Sequence, residues 1–239
     1  MSTVTNPLQA CNDVFFRPGS VFDALKQHNN WSWLPFVIVV VMAVLPNYLY
    51  FTTVDPVWYV EHLLANSPDF ADLSPAELDG MRDLIPVESM GTWGALGGLV
   101  GLTIINSIMA VYFNLVTKSD EENLNGFTDW YGAMWWIGMP VIIGSLISIV
   151  MILLSNDGTN QMPLSIVSST SLAHIFGLDI SSAWFGMTNA FRLESLLSIY
   201  IGAAAIGSWT NFAWNKCLLL SALPTIIIYS IWAIIVVIG

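Results

Sequence analysis

The chain has 239 residues, of which 55% are hydrophobic and only 10% charged, and its mean hydropathy is +0.67. A soluble domain carries about 25% charged residues, so this composition cannot cover a water-facing surface and excludes a soluble globule. A net charge of -11 with six Lys and Arg excludes a nucleic-acid binder, and Cys11 and Cys217 supply neither a disulfide framework nor a metal-ligand spacing.

Residues 1–30 read as a cytoplasmic amphipathic segment and residues 31–239 as one membrane domain. Asn6-Pro7 starts a helix with Leu8, Cys11 and Phe15 on one face. Arg17-Pro18-Gly19 breaks it, and Ser20 caps a second helix with Phe22 and Leu25 on its apolar side. Phe15, Phe16, Phe22, Trp31 and Trp33 form an interfacial anchor, lying on the membrane or folded under the bundle.

Apolar blocks at 34–54, 93–116, 131–154, 193–213 and 217–238 each approach the roughly 20 residues that cross a bilayer as helix. The fold expected is all-α: a polytopic membrane bundle of five transmembrane helices with short interfacial amphipathic helices. Pro46, Pro140 and Pro224 fall inside blocks, and Pro46 should kink the first. No basic leader precedes the first block, which acts as its own insertion signal. Arg17, Lys26, Lys118 and Lys216 on one side, against Arg82 and Arg192 on the other, place the N-terminus inside and the C-terminus outside. Between the first two blocks, Asp55-Pro56 and the capping box of Ser74 with Glu77 each open a short surface helix. Residues 155–190 are too interrupted for a further span and read as interfacial or re-entrant, with a turn at 156–160.

Gly94, Gly97, Gly98 and Gly101 give two overlapping G-x-x-x-G pairs, a helix-packing or oligomer face, and Gly202 to Gly207 offers a similar small face. Asn106 and Asn114 read as interhelical hydrogen-bonding groups, with a polar solute path as the functional counterpart. No ionisable residue falls deep in a block, which argues against an ion-coupled pump, and Arg192 and Glu194 read as an anchor at the outer edge. Asp120, Glu121 and Glu122 form an acidic loop, a docking point for a basic partner if not simply solvated; the aromatic entry at 130–136 fits an interfacial belt. The histidines are scattered. Neither a phosphate-binding glycine loop nor a nucleophile elbow occurs, so no enzyme, metal or cofactor is expected.

The opening "NPLQACNDVFFRPGSVFDALKQHNNWSWLPF", the entry "FTDWYGAMWWIGMP" and the ending "RLESLLSIYIGAAAIGSWTNFAWNKCLLLSALP" resemble the Yip family of small five-span membrane proteins, in its bacterial-type form. The Asp-Leu-x-Gly-Pro signature of eukaryotic members is absent, and a Gly-Tyr pair of the family reads Gly138-Met139 here, so small-GTPase binding does not carry over. The resemblance implies membrane organisation or trafficking-like scaffolding in an inner membrane, with the lipid bilayer, a protein partner or a second copy as partners and no catalytic residue. The alternative is a passive channel or permease for a small solute.

Overall fold

A computed structural model of the chain describes residues 4–28, 30–121, 123–155 and 158–238. Asn6 caps α1 (Pro7–Phe16) by accepting a hydrogen bond from the Gln9 N–H at 2.8 Å. The next helix, α2 (Pro18–Leu25), begins two residues before the expected cap. Pro18 takes the first helical position, where its missing N–H costs nothing. Ser20 therefore lies inside the helix and donates to the Arg17 carbonyl.

Among the described residues, four helical stretches are long and apolar enough to cross a bilayer: α3 (Trp33–Thr53), α6 (Val87–Thr117), the run Phe127–Leu154 and α12 (Trp214–Ile238). The third is broken into α7 (Phe127–Ile137) and α8 (Val141–Leu154) at Pro140, whose ring disfavours helix in the residue before it. Pro46 and Pro224 stay within continuous helices.

The block at 193–213 is helical only over α11 (Glu194–Trp209), 16 residues or about 24 Å, short of the full span expected. Both ends are held by specific bonds. The Leu193 N–H donates to the Thr170 carbonyl and Arg192 bridges to Ser171. Past Trp209, the Thr210 hydroxyl accepts from the Phe212 N–H, and the Asp120 carboxylate accepts from the Asn211 N–H.

The remaining elements are short: α4 (Pro56–Asn66), α5 (Pro75–Arg82), α9 (Leu172–Ile175) and α10 (Phe185–Ala190), with single 3-10 turns at Pro68–Phe70 and Leu164–Ser168. Asp55 caps α4, and the Ser74–Glu77 capping box opens α5. No β-strand occurs among the described residues; Ser171 and Arg192 make an isolated bridge.

The chain forms two compact units. The first comprises Met1–Val41, Val100–Ile142 and Glu194–Ile231; the second comprises Met42–Leu99, Ile143–Leu193 and Trp232–Gly239. The first unit's core joins Ala10, Val14, Val21 and Phe22 to Trp130, Trp136, Ile206 and Trp209. The second unit's core gathers Tyr50, Tyr59, Leu64, Ile152, Met162 and Ile166, and the Tyr50 hydroxyl donates to the Met162 carbonyl at 2.9 Å.

Candidate functional site

In the first unit, the N-terminal helices are part of the packed interior. α2 lies on α11, and at Gly19 an added Cβ would stand 3.3 Å from Ser208 Oγ. Three polar contacts fix the register. Trp209 Nε1 donates to the Phe22 carbonyl (2.9 Å), Ser208 Oγ to the Gly19 carbonyl (3.2 Å) and Lys26 Nζ to the Ser208 carbonyl (2.5 Å). Phe22 meets Trp209 edge-on at 6.0 Å, Trp209 meets Trp130 at 4.7 Å, and Trp130 stacks on Phe113 at 5.3 Å.

The anchor aromatics therefore divide. Phe22 is buried, Phe15 and Trp31 are half-buried against the same core, and Phe16 (76%) and Trp33 (62%) remain exposed. Docking on the unit, rather than a helix lying wholly on a surface, describes α2.

Asp13 is a buried acid on α1. Arg17 Nη2 donates to both of its oxygens at 2.8 Å. Against the desolvation that opposes it, that hydrogen bonding holds the Asp13 carboxyl below its ordinary value. The unfolded chain then takes up the proton first as pH falls, so the pair's contribution to folding is present above the ordinary carboxylate range, about 3.9, and is lost as pH drops through the lower folded value. The protection factors of the α1 amides, with the intrinsic pH dependence of exchange divided out, are expected to fall from pH 6 towards pH 3. Asp13→Asn should flatten that dependence.

Beside the α2–α11 dock lies a cleft of about 470 Å³, lined by Lys26, His28, Ser32, Asn125, Thr128 and Asp129, with Gly132 and Trp209 in its walls. Gly132 permits the close approach of α7, since a Cβ there would sit 2.8 Å from Ser32 Oγ. Asp129 Oδ2 accepts from the Gly126 N–H at 2.8 Å, and the His28 ring stacks on Trp31 at 4.4 Å. A second groove, of about 360 Å³, is lined by Phe16, Arg17, Tyr200 and Trp214.

The other sequence-selected residues do not converge on one place. Asp120 is committed to the Asn211 N–H, Glu121 is exposed, and Glu122 lies outside the described residues. In the second unit a Cβ on Gly94 would collide with Asn47 Nδ2, and one on Gly98 would stand 2.9 Å from Val44 Cγ1, so this pair seats α6 against α3. Nothing lies within 4 Å of a Cβ at Gly97 or Gly101. Asn106 is half-buried, and Asn114 Oδ1 is buried with no partner among the described residues. Neither amide lines the cleft or the groove.

Three features were missed from sequence. Glu194 opens α11 with 9% exposure, and neither carboxylate oxygen has a hydrogen-bond partner among the described residues. Its place at the end of a block suggested an exposed anchor, whereas it is enclosed. A buried polar group without a hydrogen-bond partner is costly. Glu194→Leu, apolar and of similar volume, is therefore expected to raise stability in detergent by about 1–3 kcal/mol; a lowered unfolding temperature would show that the carboxyl group has a favourable partner.

In the second unit, serines of the 155–190 segment pack as a hydroxyl cluster. Arg192 Nη2 donates to Ser168 Oγ (2.9 Å), the Ser169 N–H to Ser148 Oγ (3.0 Å), and Ser171 Oγ to Asn189 Oδ1 (3.3 Å). His62, stacked on Trp58, places Nε2 3.5 Å from Asp179 Oδ2. Only the clustering of Ser and Thr at 165–171 signalled any of this in the sequence. Among the described residues, no group of three or more His, Cys, Asp or Glu is placed to hold a metal ion.

These helices define an integral membrane protein of the polytopic α-helical class. The family model of the Yip1 domain matches residues 12–235, and the chain belongs to that family. The match begins within α1, so the second half of α1 and all of α2 fall within the family domain. No curated protein and no solved structure matches the chain.

Proposed function

We propose that this chain is a non-enzymatic scaffold that organises or shapes an inner membrane, with the N-terminus cytoplasmic, the C-terminus outside, and α11 serving as a short fifth span. The observation that carries this reading is the N-terminal dock. α1 and α2 are fixed to the membrane helices through Trp209 while Leu8 and Phe16 stay exposed. Trp33 and Trp214 are exposed at the starts of α3 and α12, and Arg17, Lys26 and Lys216 lie near these elements in sequence. Exposed apolar residues on short helices suit a bilayer interface, where a helix sinks about 5–10 Å and occupies headgroup area. Held rigidly, such helices act as a wedge on one leaflet. Glu121 and its neighbours remain a docking point for a basic partner.

Reconstitution into vesicles with imaging tests this reading. Vesicles carrying the protein should differ in size or curvature from empty ones, and Leu8→Ser with Phe16→Ser should remove much of the difference without unfolding the protein. Unchanged vesicles, together with no co-purifying protein, would reject it.

A further inference from the structure

We infer that the cleft beside the α2–α11 dock binds a zwitterionic phosphate ester, a phosphate carrying a primary amine as an ethanolamine headgroup does. The cleft, at about 470 Å³, lies within the range of small-ligand sites, about 300–1,000 Å³. Its polar groups are only partly committed within the protein. Lys26 Nζ bonds to the Ser208 carbonyl and Asp23 Oδ1, which leaves one of its three N–H donors. Ser32 Oγ accepts from Trp136 Nε1 at 3.3 Å and keeps its own proton to donate. Thr128 is exposed, and its hydroxyl makes no bond among the described residues.

These are donors suited to phosphate oxygens. The acceptors are as specific. Asp129 spends Oδ2 on the Gly126 N–H and leaves Oδ1, while Asn125 gives its amide N–H to Asn123 and leaves its carbonyl oxygen. One cation with spare donors and one carboxylate with a spare acceptor match a ligand of both charges better than a simple anion, which Asp129 would oppose. Ser32 directly precedes α3, and Thr128 and Asp129 form the first turn of α7. Both elements begin stretches long and apolar enough to cross a bilayer, so the polar groups stand at headgroup level. The ligand is then a lipid headgroup or a free solute of the same chemistry. The inference rests on the membrane class and not on the scaffold reading, so each can fail alone.

The test is thermal unfolding of the full chain in phosphatidylcholine nanodiscs with added phosphoethanolamine or phosphocholine, and native mass spectrometry from phosphatidylethanolamine nanodiscs. Phosphoethanolamine should raise the unfolding temperature more than phosphocholine, whose quaternary nitrogen has no N–H for Asp129. Asp129→Asn keeps an oxygen for the Gly126 N–H and should erase that preference. Lys26→Gln should weaken both ligands about tenfold. A response in phosphatidylcholine discs identifies a free solute as sufficient. A phosphatidylethanolamine retained by the wild type and lost in Lys26→Gln identifies the lipid. No thermal response together with no retained lipid overturns the inference, as does an ethanolamine preference undiminished in Asp129→Asn.

Discussion

Replacing Trp209 with alanine is expected to release α1 and α2 from the first unit. The ring is 5% exposed and stands between Phe22 and Trp130, while its N–H holds the Phe22 carbonyl. Removing a buried tryptophan costs about 3–5 kcal/mol. Most of that loss should fall on the dock, because the Trp130–Phe113 stack does not involve α2. Hydrogen exchange of residues 7–25 should rise strongly, with a smaller change in α6. Trp209→Phe keeps a ring and forfeits the hydrogen bond, a loss of about 1 kcal/mol. Unaltered exchange in the alanine variant would mean that Trp209 does not hold the dock.

The apolar blocks were legible because lipid contact demands long uninterrupted hydrophobic runs, and four of them emerge as helices able to cross a bilayer. Caps at Asn6, Asp55 and Ser74 were legible for a local reason: each satisfies amides within three residues. The length of α11 was not, because its ends are set by distant partners, Thr170 at one and Asp120 at the other. The same limit hid the cleft. Lys26 meets Ser208 across 182 positions, and Ser32 meets Trp136 across 104. Hydropathy sees neither pairing. It also placed Glu194 at an exposed edge, since enclosure depends on neighbours that a block boundary does not reveal. The glycines show how pattern and environment separate: 94/98 and 97/101 share one spacing, yet only the first pair lies under neighbouring side chains.

Gly202→Val is expected to be among the most damaging single changes in the membrane helices. A Cβ at this position would overlap Ser221 Oγ, with Ser221 Cβ at 3.5 Å and Phe113 Cζ at 3.7 Å. Ser221 is not free to turn away, because its hydroxyl donates to the Ile199 carbonyl at 2.8 Å. Small residues at such crossings let helix backbones approach, and filling one forces α11 and α12 apart. Overpacking typically costs about 1–3 kcal/mol, and the lost Ser221 bond adds about 1 kcal/mol. Gly202→Ala should show a lesser form of the same defect, partly relieved by Ser221→Ala. That double-mutant coupling would locate the clash at this pair and not elsewhere along α11. Gly101→Val, at a position where a Cβ meets nothing within 4 Å, should be nearly neutral in detergent. Equal losses at Gly101 and Gly202 in thermal unfolding would sink the packing argument, whereas loss at Gly202 alone would identify the α11–α12 contact as the tightest helix crossing tested.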